Sequence, residues 1–233
     1  MEATEKVEKA AKRMLPEFSA LGFMMSLIIA QLYYYVNFQG EGFSREIALA
    51  YIIIPVALLA YYSMDHQLYG RKVTLDKFPL TRTIFHGLIG FMVTWVFMLW
   101  VYGYLLGVQF SEIPATAVWG TVLTQVLFVA CSEELAFRYI VPAYLKEKFP
   151  RAKFIPYLLA AASFAFFHSA AYDGNYRSMG LAFLVGLVWL FLYNIKLDGH
   201  KLGLGFTIGS HAAYNLTLVG VLSGGISLIS GGI

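Results

Sequence analysis

Glu133 and Glu134 stand side by side in an apolar stretch, and Arg138 follows the second of them by four residues. The remaining acidic residues fall in the N-terminal tail, at segment edges or in short connections, so this pair alone places carboxylates inside a hydrophobic run. Holding a carboxylate in hydrocarbon costs about 2.5–3.5 kcal/mol on insertion scales, which marks the pair as a place where chemistry is done. Two more polar groups interrupt apolar segments: His168, four residues after Phe164, and His211, four residues before Asn215. A spacing of four puts two side chains on one face of a helix, so Glu134 shares a face with Arg138 and His211 with Asn215.

In a low-dielectric pocket these groups make the parts of an amide hydrolase. Arg138 can hold one glutamate ionised. The other glutamate, with His168, can take a proton from water by general-base catalysis, and the residues alone leave open which glutamate that is. His211 and Asn215 offer N–H donors suited to the oxyanion that forms when a carbonyl is attacked. No rival nucleophile stands out: there is no Gly-x-Ser-x-Gly elbow, no His-Glu-x-x-His and no glycine-rich phosphate loop. Cys131 reads as a packing cysteine, and Ser132, Ser163 and Ser169 as small residues at helix contacts. His86 and His200 read as interhelical donors or interfacial residues, His66 as a loop residue, and Gly205 with Gly209 as a small-xxx-small packing pair. Two other readings use the same side chains. In one, the Glu–Arg pair only staples helices in a noncatalytic immunity or scaffold protein; in the other, two Glu and two His hold zinc with a water in the open position, as in an intramembrane metalloprotease.

The elements that carry these residues follow from composition. Of 233 residues, 59% are hydrophobic and only 13% charged, and the mean hydropathy is +0.65, far outside the range of soluble domains. The expectation is an all-α, polytopic transmembrane helix bundle with an intramembrane catalytic cavity. Windows long enough for a hydrocarbon core of about 30 Å predict seven spans: Phe18 to Val36, Glu46 to Met64, Ile84 to Leu106, Ile113 to Ile140, Phe154 to Tyr172, Ser178 to Ile195 and Leu202 to Val219. Gly220 to Ile233 forms either a half-span or a truncated eighth. One domain, 1–233, suffices, with a cytoplasmic tail over 1–16, whose Lys6 to Arg13 reads as a surface amphipathic helix, and a motif-bearing core over 113–219. No cleavable signal peptide is apparent. The single cysteine excludes an intramolecular disulfide.

Lys and Arg concentrate in the N-terminal tail and in alternate connections (Arg71, Lys72, Lys77 and Arg82; Lys146, Lys148, Arg151 and Lys153; Lys196 and Lys201). The positive-inside rule then places the N-terminus and the even connections in the cytoplasm, the cell membrane being the site in a prokaryote. The net charge of +3 reflects juxtamembrane anchors that meet anionic lipid, so nucleic acid is not an expected partner. At about 1.5 Å per residue, His211 lies about 14 Å in from Leu202 and His168 about 18 Å in from Pro156, so the polar groups can meet in the cytoplasmic half.

The three pairs occur in an order that resembles the signature of the CAAX protease and bacteriocin-processing family, also called the ABI family, of glutamic intramembrane proteases. Glu-Glu-x-x-x-Arg is matched by Glu133 to Arg138, Phe-x-x-x-His by Phe164 to His168, and His-x-x-x-Asn by His211 to Asn215. The resemblance implies an eight-helix bundle open toward the cytoplasm and a type II CAAX endopeptidase-like activity on a peptide or lipidated peptide. It also implies roles: Glu133 and His168 activate water, Glu134 orients His211, and His211 and Asn215 form the oxyanion hole. Arg138 and Phe164 support them, and neither metal nor other cofactor is implied.

Overall fold

Long apolar runs with few internal breakers become helices, and the polar connections become turns. The computed structural model describes residues 17–18, 20–37, 45–69, 78–107, 124–169, 172–197 and 200–223. Within them lie α1 (Ala20–Asn37), α2 (Arg45–Tyr69) and α3 (Leu80–Leu99, prolonged by π-helical turns over Trp100–Leu105). A mixed helix α4 occupies residues 125–148, followed by α5 (Ile155–Phe167), α6 (Tyr176–Asn194) and α7 (Gly203–Ser223). Two short antiparallel pairings tie helix ends together. Glu17–Phe18 pairs with Phe78–Pro79 at the starts of α1 and α3, and Lys196–Leu197 pairs with His200–Lys201 between α6 and α7.

Local chemistry sets several boundaries. Asp173 and Gly174 take positive φ values in the turn after α5, and the Asn175 side chain then accepts hydrogen bonds from the amides of Arg177 and Ser178, capping α6. Gly203, at φ +66, lets the chain turn into α7 without a Cβ penalty.

The axis of the fold is α4. Residues 132–140 are all buried, as expected for a helix surrounded on every side. Its helical repeat is uneven: π-helical turns over Gln125–Ala130, a single α turn over Cys131–Glu134, π-helical turns again over Leu135–Ile140, then α-helix over Val141–Lys148. Pro142 stands at the start of that last segment and cannot donate to Arg138 four residues earlier. The helix absorbs the lost bond by widening instead of breaking, and such π segments concentrate at functional sites. Leu135, Tyr139 and Ile140 pack against Met24, Leu27, Tyr193 and Leu204 on one side, and Ala136 and Phe137 against Phe164, Ala165, Ala182 and Trp189 on another.

The pairing of α3 with α7 is the closest in the bundle. Cβ atoms built on Gly205 and Gly209 would run into the carbonyls of Thr83 and Gly87, so Gly205 and Gly209 do form the small-residue contact their spacing suggests.

A cluster of polar side chains lies inside, beside the apolar core, while many large apolar side chains face outward. Gln31, Thr124, Ser132, Glu133, Glu134, Arg138, Thr207, Ser210 and His211 are buried, while α3 turns Phe85, Leu88, Met92, Val96, Phe97 and Trp100 outward. By length and apolarity, Thr81–Leu105 and Tyr176–Asn194 meet the measure for crossing a membrane, and Ala48–Tyr61 and Ile155–Phe167 are apolar but shorter.

Several sequence expectations change. The span expected over Phe154 to Tyr172 ends as a helix at Phe167: His168 is its C-cap, and the chain leaves in a tighter turn in which the Ser169 amide bonds to the Phe166 carbonyl. His66, read as a loop residue, lies inside α2, since no glycine or proline interrupts the chain between Pro55 and Gly70. His86 is buried and bonded through Nδ1 to the Leu202 carbonyl at 2.9 Å, and His200 sits exposed in the short pairing before α7. The tail 1–16, the first residues of the expected fourth span and residues 224–233 lie outside the described residues.

Candidate functional site

The site is built around the single α turn of α4. Both glutamates are fully buried, and they face different partners. Glu134 is held from two sides: its Oε1 lies 2.8 Å from His211 Nδ1, and its Oε2 lies 3.3 Å from Arg138 Nε. The Arg138 guanidinium is itself buried, with Cζ 4.2 Å from the centroid of the Phe164 ring and 5.2 Å from that of Trp189. Two aromatic faces thus help compensate a buried cation.

Glu133 presents its two oxygens to different neighbours. Oε1 accepts from the Tyr51 hydroxyl at 2.8 Å. Oε2 lies 3.4 Å from His168 Nε2 and 3.7 Å from His211 Nε2 and accepts no hydrogen bond among the described residues. His168 is the C-terminal cap of α5, and its Nδ1 lies 2.9 Å from the Phe164 carbonyl. A carbonyl only accepts, so Nδ1 carries a hydrogen, and in the neutral ring Nε2 is then the lone-pair nitrogen turned toward Glu133. In that neutral form the two facing atoms, 3.4 Å apart, are both acceptors, whereas the protonated ring would donate to Oε2. The spacing of four between Phe164 and His168 sets this tautomer through the backbone, and the Phe164 ring packs 4.5 Å, centroid to centroid, from the imidazole.

A cavity of about 160 Å³ opens beside these groups, lined by Tyr51, Glu133, Phe164, His168, Tyr172, Trp189, His211, Tyr214 and Asn215 together with Val129, Leu181, Ala182, Val185 and Leu218. At about 30 Å³ per water it has room for roughly five waters or a short apolar side chain. Of the residues singled out from the sequence, Glu133, His168, His211, Asn215 and Phe164 line it. Glu134 and Arg138 do not, and sit behind His211 instead. No group of three or more His, Cys, Asp or Glu side chains is arranged to hold a metal ion among the described residues.

Sequence reasoning missed four lining aromatics. Tyr51 comes from α2 and Trp189 from α6, where Trp189 stacks at 4.3 Å between centroids on the His211 ring. Tyr172 stacks on His168 at 5.9 Å, and Tyr214 meets Trp189 edge-on at 5.8 Å. Ser132, taken for a packing residue, is a buried hydrogen-bonding centre between α1, α2 and α4. Only Tyr51 carried a signal in the sequence, namely Pro55 four residues after it in an apolar helix.

Residues 114–217, a little under half of the chain, match the family model described as Rce1-like, type II CAAX prenyl endopeptidase Rce1-like. The match spans all three motifs, and the chain resembles the CAAX protease family in the segment where the motifs lie. No curated protein and no solved structure matches the chain.

Proposed function

We propose that this chain is a multi-pass intramembrane endopeptidase of the glutamic type, cleaving a peptide or lipidated peptide of CAAX type at the cytoplasmic side of the membrane. The observation that carries the reading is the contact of Glu133 Oε2 with His168 Nε2, 3.4 Å apart at the wall of a cavity. With the imidazole neutral, neither supplies a hydrogen to the other, and a water in the cavity beside them can donate one to each. That water is then oriented and made basic enough to attack.

In this mechanism the water oxygen bonds to the carbonyl carbon of the scissile peptide while Glu133 takes its proton. Charge moves to the carbonyl oxygen, where His211 Nε2 and the Asn215 amide donate hydrogen bonds. His211 Nδ1 is engaged by Glu134, which leaves Nε2 turned toward the cavity, and Arg138 balances the Glu134 carboxylate. The C–N bond then breaks, its electron pair stays on nitrogen, and Glu133 returns the proton to it. The remaining proton of the new carboxylic acid leaves through His168 to the amine. The products are a carboxylate and an ammonium. Leu181, Val185 and Leu218 give the cavity an apolar flank suited to an aliphatic side chain.

The apolar outer surface of the bundle supports placement in lipid, because outward rows of Phe, Leu and Trp on α3 have no counterpart on a soluble monomer. The noncatalytic reading accounts for the Glu134–Arg138 pair but gives no task to Glu133 and His168 where they meet at the cavity wall. The test uses purified protein and a quenched fluorescent peptide ending in a farnesylated CAAX sequence, beside its unprenylated twin. Glu133→Ala and His168→Ala should each lower turnover by about a hundredfold or more while the protein stays folded in detergent. Wild-type turnover in either variant would overturn the assignment.

A further inference from the structure

The base of the proposed site is completed from outside the motif-bearing core. Pro55 lies inside α2 and has no N–H, so it cannot donate to the carbonyl of Tyr51, four residues earlier. Ser132 Oγ reaches that carbonyl at 3.4 Å and in turn accepts from Gln31 Nε2 at 2.8 Å. Serine hydroxyls commonly satisfy carbonyls freed by proline in membrane helices. The side chain of the same tyrosine donates to Glu133 Oε1 at 2.8 Å. One residue of α2 is therefore tied by its backbone to Ser132 and by its phenol to Glu133, two neighbours on α4.

We propose that Tyr51 is a positioning residue for Glu133: its hydroxyl occupies Oε1 and leaves Oε2 as the oxygen that meets water, the bond from Ser132 to the Tyr51 carbonyl setting the register that brings the phenol there. The proposal rests on the peptidase reading above. A carboxylate's last torsion is broad, so the glutamate chain by itself does not fix the plane of its oxygens. Oε2 is left without a hydrogen bond among the described residues, which makes the bond at Oε1 the tether that aims it. Misplacing a reacting group by about 1 Å can cost about a hundredfold in rate, so losing this tether should act on turnover and not on substrate binding.

The experiment compares Tyr51→Phe with Tyr34→Phe, using the farnesylated reporter peptide and thermal unfolding in detergent. Tyr34, on α1, shares a buried hydrogen bond with Thr124 at the start of α4 but lines no part of the cavity. Tyr51→Phe should lower kcat by about ten- to a hundredfold with KM within about twofold of wild type, and Tyr34→Phe should leave both unchanged. Equal losses of kcat in the two variants would make Tyr51 merely structural and overturn the proposal, as would a normal kcat in Tyr51→Phe. Glu133→Gln separates the two levels: if it retains turnover the peptidase mechanism fails, whereas if it is inactive and Tyr51→Phe is normal, only the role of Tyr51 fails. Unfolding midpoints of Tyr51→Phe, Glu133→Gln and the double variant test the contact without any turnover. A double variant shifted by less than the sum of the singles supports it, and strict additivity refutes it.

Discussion

Arg138→Ala tests the electrostatic frame on which the site depends. The wild-type guanidinium is fully buried 3.3 Å from Glu134 Oε2, with Phe164 and Trp189 over it. Removing one partner of a buried ion pair typically costs about 3–5 kcal/mol, because the other charge is left in a poor dielectric. Loss of the two aromatic contacts adds about 0.5–2 kcal/mol. Glu134 keeps its 2.8 Å partner His211 and can take up a proton, which offsets part of that sum, so a net loss of about 3–5 kcal/mol is expected. At about 2–4 °C per kcal/mol for a chain of this size, the unfolding midpoint should drop by roughly 6–20 °C. Tryptophan fluorescence in detergent suits the measurement, since Trp189 lies 5.2 Å from the guanidinium. Arg138→Lys should fall between, keeping the charge but losing the planar stack. The decisive variant is Glu134→Leu/Arg138→Met, which removes both charges and should return to within about 1 kcal/mol of wild type while remaining inactive, His211 having lost its support. A midpoint unchanged in Arg138→Ala, or a double variant no better than the single, would refute the argument.

Activity should survive exhaustive chelation, because the third motif supplies Asn215, a poor zinc ligand, and His211 Nδ1 is engaged by Glu134; inactivation reversed by added zinc, with stoichiometric metal on elemental analysis, would move the protein to the metallopeptidase reading. Gly209→Ala should cost about 1–3 kcal/mol or more, because its Cβ would overlap the Gly87 carbonyl oxygen and lie 2.9 Å from the Phe91 amide nitrogen; Gly180→Ala, with nothing within 4 Å, is the control and should lose no stability. Cysteines placed at the exposed Lys148 and Lys201 positions in a Cys131→Ser background should react with an impermeant thiol reagent from the cytoplasmic face only. Labelling from outside would reverse the topology and the side from which substrate enters.

What was legible in the sequence is what depends on spacing within one helix. Glu134 with Arg138, and Phe164 with His168, meet through a turn of helix, and their contacts follow from a separation of four. Glycines at 205 and 209 announce a close helix crossing for the same reason. What was not legible depends on which helices become neighbours. Tyr51 and Glu133 are joined across 82 positions of sequence, and no periodicity within α2 singles out one tyrosine among the several aromatics of the chain. Apolar windows also overestimated helix length at α5. They count Phe166 and Phe167 as span, and hydropathy carries no trace of the turn that begins at His168.

The placement of the two glutamates on one short α turn between π-helical stretches gives adjacent residues separate tasks. Neighbours on a helix point about 100° apart, so Glu133 and Glu134 cannot serve one partner together. Glu134 turns toward Arg138 and His211, and its charge is used up in holding them. Glu133 turns toward the cavity, where one oxygen is tied by Tyr51 and the other faces two imidazole nitrogens. Because α4 is enclosed through this segment, both carboxylates are kept from bulk water, and only Glu133 borders the cavity of the proposed site. Exchanging the order of tasks would demand a rotation of α4 that its packing against Phe164, Trp189, Met24 and Tyr193 does not allow. The pair is thus asymmetric by geometry, and a Glu133→Gln change should remove catalysis while sparing the ion pair that Glu134→Gln would break.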